Sequence, residues 1–181
     1  VKAWESDPFL PGLTMYRHQG KCDYTPLYNM RLSRCFLPDE KLIKIQNFFG
    51  IHLCPSETEG FGQYMIEALS CGVIPVTTNA PPMNEFVTDE RCLVSYMRTA
   101  KQHLATNYHV DPEHLREVVA NLMLLSDEEL AEIGRKNRQF YLESKRQFQE
   151  NLREIFAIEH LPIKKTEEFV PATSLNHTDK K

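Results

Sequence analysis

The stretch Ile51-His52-Leu53-Cys54-Pro55-Ser56-Glu57-Thr58-Glu59-Gly60-Phe61-Gly62-Gln63-Tyr64-Met65-Ile66-Glu67-Ala68-Leu69-Ser70-Cys71-Gly72-Val73-Ile74-Pro75-Val76-Thr77 decides the fold. Residues 51–54 make a compact apolar strand that Pro55-Ser56 stops. The run 57–62 is polar and carries glycine, the composition of a loop. Small and apolar residues over 63–71 predict a packed helix, with Gly72 as its C-terminal cap. Val73-Ile74-Pro75-Val76-Thr77 is nearly continuous in β-branched residues, as in a parallel strand buried on both faces. Pro75 donates no backbone hydrogen bond, so it calls for a bulge or a strand end.

The same rhythm extends outward. Leu13 to Tyr16 predicts a short strand after the turn pair Pro11-Gly12, and Arg31 to Phe36 a second. Leu37-Pro38-Asp39-Glu40 opens a helix, its acids favoured by the positive end of the helix dipole. Leu42, Ile45 and Phe48 or Phe49 give that helix one apolar face, and Gly50 ends it. Downstream, Asn79-Ala80-Pro81-Pro82 is a turn, Met83 to Val87 a short helix and Cys92-Leu93-Val94 a last short strand. Residues 95–110 fit no regular pattern. Asp111-Pro112-Glu113 starts a helix with an apolar stripe at Leu115, Val118, Val119, Leu122 and Leu125. Ser126-x-x-Glu129 is a capping box for a long final helix carrying Leu130, Ile133, Phe140, Tyr141, Phe148, Leu152, Ile155 and Phe156. Alternating strands and helices predict an α/β fold, a Rossmann-like parallel sheet flanked by helices and followed by C-terminal helices. Residues 1–160 read as one domain, and 161–181, polar and beyond Pro162, as a disordered tail.

Bulk properties exclude several functions. The formal net charge is −4 and basic residues are interspersed with acids, so nucleic acid is not an expected partner. No apolar run approaches the roughly 20 residues that cross a bilayer. The five cysteines (Cys22, Cys35, Cys54, Cys71, Cys92) are odd in number and none are in C-x-x-C spacing, against a zinc knuckle or a disulfide framework. Cys54 and Cys71 stand in apolar surroundings, as buried reduced thiols of a cytoplasmic protein would. His103 and His109 have no acids in a metal-binding pattern, so no metal site is expected, and His52 reads as a satisfied core histidine. Trp4, Phe9 and Leu10 either pack at the domain edge or form a face where further chain joins.

The chemistry concentrates between strand and helix in the opening stretch. Ligands of open α/β sheets bind at the carboxyl ends of strands, and helix N-termini offer free N–H groups to phosphates. Gly60 and Gly62 let the backbone come close to a ligand. Glu59 lies in the loop, where a carboxylate beside free amides can hold sugar hydroxyls. Glu67 lies two turns into the helix, where a carboxylate can accept two hydrogen bonds from a ribose diol. It sits beside Ala68, Leu69 and Cys71, so a bare carboxylate there would be costly without a partner.

Pro55-Ser56, Glu59-Gly60-Phe61-Gly62, Glu67-Ala68, Cys71-Gly72-Val73-Ile74-Pro75-Val76 and Glu85, in that order, resemble the group 1 (family 4) glycosyltransferases of the GT-B fold. Two glutamates separated by seven residues, with Gly-Phe-Gly after the first, are that family's hallmark. The resemblance implies one lobe of a two-lobed enzyme, the donor-binding C-terminal one, using a nucleoside-diphosphate sugar (UDP- or GDP-sugar) with retention at the anomeric carbon and no metal or cofactor. It implies that Glu59 contacts the donor sugar and acts at the reaction centre. It further implies that Glu67 holds the ribose, that the amides of Phe61, Gly62, Gln63 and Tyr64 line the sugar and diphosphate, and that Leu37-Pro38 approaches the base. The acceptor, a sugar, lipid or protein, would bind a second lobe lying outside this chain, which opens in mid-pattern at Val1; that lobe could also hold the enzyme at a membrane surface. Without it the chain is expected to bind nucleotide weakly and not to turn over. Two departures stand out. Asn79 to Glu85 has no Gly-Gly pair, and the family's phosphate-binding Arg and Lys have no clear counterpart, Arg17 and Lys21 being the nearest pair. Alternative readings are a non-catalytic sugar-nucleotide-binding module and a GT-B sugar-nucleotide epimerase. A nicotinamide dehydrogenase would need a third glycine that is absent after Gly62.

Overall fold

The computed structural model describes residues 2–16 and 27–156. Arg17, Lys21, Cys22 and the predicted tail lie outside them. The order is α1 (Lys2–Ser6), β1 (Leu13–Tyr16), β2 (Met30–Ser33), α2 (Asp39–Phe48), β3 (Ile51–Cys54), α3 (Gln63–Ser70), β4 (Ile74–Thr78), β5 (Leu93–Val94), β6 (Tyr96–Gln102), β7 (Ala105–Val110), α4 (Pro112–Met123) and α5 (Asp127–Phe156). A 3-10 turn, Met83–Phe86, follows β4. β1 pairs in parallel with β2, and β3, β4 and β5 form a second parallel set with β4 in the middle. The architecture is mixed α/β, parallel strands flanked by helices, as the alternation predicts.

All five residues of β4 are buried, which its continuous apolar character requires. Pro75 is the second residue of β4, opposite His52, near the start of the strand and not in a bulge. The direction of its nitrogen explains this. Ile74 N–H donates to Gly50 O (2.9 Å), so the next nitrogen along faces the other side. There β5 reaches only Thr77 and Thr78, and no ladder bond is lost at Pro75.

The main core gathers Trp4, Leu10, Met30, Ile74, Val76 and Val94 with Leu115, Val118, Val119 and Leu122 of α4 and Ile133 of α5. The α4 stripe therefore packs as its spacing predicts. Asp111 caps α4, accepting from Glu113 N–H (3.0 Å). The capping box of α5 is formed, Glu129 accepting from Ser126 N–H (2.9 Å). Trp4 and Leu10 are buried, while Phe9 is exposed.

Four expectations are corrected. Residues 96–110 are not irregular: β6 and β7 make an antiparallel hairpin, so Leu93–Val94 is not the last strand. The apolar face of α2 is only half covered, with no buried residue, and Ile43 and Phe48 are exposed. α5 uses Ile133, Gly134 and Asn137 for packing, whereas Phe148, Ile155 and Phe156 are exposed. Cys54 is buried as expected, but Cys71 is only partly so.

Candidate functional site

The site is built where β3 runs into α3. β4 holds the start of the connecting loop: Thr77 Oγ1 donates to Cys54 O (2.8 Å) and Thr78 Oγ1 to Ser56 O (2.5 Å). These buried threonines replace ladder bonds that end with the strand. Gly62 is the N-cap of α3 in the left-handed conformation, φ +66, which glycine takes without strain. A Cβ there would also press on the Phe86 ring at 3.4 Å. A Cβ at Gly60 would meet nothing within 4 Å, so the loop opens onto free space there. No side chain caps the N-terminus of α3.

Glu59 lies at the rim of this loop. Its Oε1 accepts from Ser56 Oγ (2.8 Å). It also lies close enough to Cys54 to act on the thiol, which burial first and the Glu59 charge second push up to about 12. Glu67 projects from α3 and accepts from Gln46 Nε2 (2.7 Å) and Gln63 Nε2 (2.9 Å). These are the partners that a carboxylate on a packed helix needs. Gln46 also accepts at its carbonyl from His52 Nε2 (3.0 Å), so one residue of α2 ties β3 to α3. Burial lowers the His52 value, partly offset by its bonds to Gln46 and Phe49, and this satisfied neutral imidazole fits the core role expected of it.

Glu59 stands in the loop before α3 and Glu67 on the helix itself. Tyr64, whose hydroxyl lies beside Glu59, and Glu67 are i, i+3 neighbours on the same helix face. Phe61 is exposed, Gly62 is buried, and Gln63 turns its amide toward Glu67. Leu37 and Pro38 lie in the loop after the carboxyl end of β2, with Pro38 at the N-cap of α2. Glu85 is exposed on the 3-10 turn after β4.

The hairpin supplies what sequence reasoning missed. Tyr108 N–H donates to Glu57 O (2.7 Å), and His109 Nδ1 donates to Glu57 Oε1 (2.8 Å). Tyr108 packs with Tyr64 and Phe86 around Cys54, Met65, Ala80 and Met83. The β3–α3 loop is thus braced from β4, from the 3-10 turn and from β7. Among the described residues no group of three or more His, Cys, Asp or Glu is placed to hold a metal. No helix among them is long and apolar enough to cross a membrane.

A family model of the glycosyl transferases group 1 matches residues 35–140, which span α2 to the middle of α5 and include the whole loop and its braces. No curated protein matches the chain. With more than half its length under that family model, and a parallel α/β fold around the loop, the chain belongs to the group 1 glycosyl transferases.

Proposed function

We propose that this chain is the donor-binding lobe of a family 4 glycosyltransferase, which takes a sugar from a nucleoside diphosphate and passes it to an acceptor with retention. Family membership supports glycosyl transfer in general. The donor role rests on one observation: α3 begins uncapped after the carboxyl end of β3, with Glu59 in the loop before it and Glu67 on the helix. An uncapped helix start offers N–H groups and positive partial charge to an anion. In this reading the amides of Phe61, Gly62, Gln63 and Tyr64 receive the diphosphate, and the space over Gly60 admits the sugar. Glu59 holds the sugar hydroxyls and Glu67 exchanges its glutamine partners for the ribose diol. Leu37 and Pro38 border the base. As the glycosidic bond breaks, negative charge grows on the leaving phosphate oxygen, and fixed amide dipoles stabilise it without reorganising. The donor is a UDP- or GDP-sugar, no metal takes part, and the acceptor (sugar, lipid or protein) binds a second lobe. The reaction is assigned to the cytoplasm.

Titration with UDP, GDP and ADP, and with their 2′-deoxy counterparts, tests the ribose role of Glu67. Two hydrogen bonds to a carboxylate predict that Glu67→Ala weakens the ribonucleotide at least about tenfold. It should leave the 2′-deoxy form much less affected. Equal affinity of wild type and Glu67→Ala for the ribonucleotide would remove Glu67 from the site.

A further inference from the structure

Tyr64 carries a polar group that the fold itself does not use. Its ring packs against Cys54, Met65, Ala80 and Met83. Its hydroxyl is shielded from solvent and has no aligned hydrogen-bond partner. Yet it lies beside the Ser56 hydroxyl and the Glu59 carboxylate, and burial pushes the phenol well above its usual value, so it stays protonated and can only donate to a carboxylate. Leaving such a donor unpaired in the interior is unfavourable. Glu59 meanwhile has one fixed donor, Ser56 Oγ at 2.8 Å, on a residue whose carbonyl Thr78 anchors to β4. A second donor therefore stands next to the same carboxylate.

We propose that Tyr64 is a positioning residue for Glu59: when the donor sugar draws the carboxylate toward its hydroxyls, the Tyr64 hydroxyl completes its hydrogen bond to Glu59 and fixes the carboxylate in the sugar-holding orientation. The inference rests on the donor-site reading of Glu59. It gives the Tyr64 hydroxyl no contact with the nucleotide, whose diphosphate meets only the Tyr64 main-chain amide, so the influence of the side chain is confined to the sugar. It also makes the unpaired hydroxyl a feature of the sugar-free protein alone.

The test is Tyr64→Phe, which removes the hydroxyl and keeps the ring, set beside Glu59→Gln in the full-length protein. UDP-glucose, GDP-mannose and ADP-glucose are titrated against UDP, GDP and ADP, and thermal unfolding is followed without ligand. Tyr64→Phe should weaken the sugar nucleotide about tenfold, the loss of one hydrogen bond to a charged group. It should leave the bare nucleotide unchanged and Tm equal or higher, because the hydroxyl it removes is unpaired. A parallel loss for both ligands, or a lower Tm, would mean that the hydroxyl is structural and overturns the inference. Loss of sugar selectivity in Glu59→Gln but not in Tyr64→Phe overturns it too, leaving the donor-site reading intact. If Glu59→Gln binds sugar nucleotide as wild type does, the reading beneath it fails.

Discussion

Gly134 is where α5 fixes the position of α3, and Gly134→Ala tests that contact. An ideal Cβ at Gly134 would stand 2.4 Å from Gly72 O, where real contacts keep at least 3.0 to 3.4 Å, so the gap must open by 0.6 to 1.0 Å. Gly72 cannot easily yield. It follows Cys71, the C-cap of α3, with φ +65, and its N–H donates to Leu69 O (3.0 Å). α5 is no freer to retreat. Asn137 is buried and donates to Val73 O (2.8 Å), its Oδ1 accepts from Thr88 Oγ1 (2.6 Å), and Arg138 donates to Ser70 O. Overpacking of this kind costs about 1–3 kcal/mol, and stretching a buried hydrogen bond adds about 1 kcal/mol. Better helix propensity returns about 0.5–1 kcal/mol. The net expectation is a loss of about 1–3 kcal/mol, read from the urea midpoint at unchanged m-value. Because α3 carries Glu67 one turn before Ser70, nucleotide affinity should fall with it. If Gly134→Ala is instead stabilised by about 1 kcal/mol, propensity alone is acting, and the tight α5–Gly72 contact is wrong.

Two further outcomes follow from burial. His52 is held neutral in the fold, so below the free imidazole value of 6.5 the unfolded chain binds the extra proton and the folded one resists it. The stability that this residue contributes is complete above 6.5 and is lost as pH falls from there toward the lower folded value. Urea midpoints at pH 7.5 and 5.5 should therefore differ less in His52→Gln than in wild type; identical slopes would show that His52 titrates as a free imidazole. Brief alkylation of the native protein at pH 8, followed by peptide mass spectrometry, should mark exposed Cys35 well before Cys54 and Cys92, whose buried thiols sit at about 12. Rapid labelling of Cys54 would contradict the packing beneath Glu59.

What could be read from the sequence was whatever burial writes into it. β4 is buried along its whole length and is spelled in β-branched residues. α4 turns four apolar residues inward at helical spacing. The β3–α3 loop is marked by two glycines, of which Gly62 meets a backbone demand, φ +66, and Gly60 borders open space. The hairpin was hidden because β6 is exposed along nearly its whole length and β7 is half-buried along its own, so neither strand shows an alternation of buried and exposed residues. Its tip gave no signal either, since His103 takes the left-handed conformation where Asn or Gly would announce a turn, and Leu104 points wholly into solvent. The exposed apolar residues of α2 and of distal α5 are the reverse case, helical spacing without a buried face.

The parts that the sequence concealed are also those that make the loop a site and not merely a turn. Gly60 and Gly62 alone would leave the chain from Ser56 to Gly62 free to sample many conformations, and ordering it on ligand binding would cost affinity. Thr78, Phe86, Tyr108 and His109 remove that freedom beforehand: Thr78 holds Ser56, Phe86 lies against Gly62, and Tyr108 and His109 both hold Glu57. None of them belongs to the glutamate motif, and they come from three elements: β4, the 3-10 turn and β7. The motif supplies groups able to hold a sugar nucleotide; its surroundings decide whether those groups are already in place when the ligand arrives.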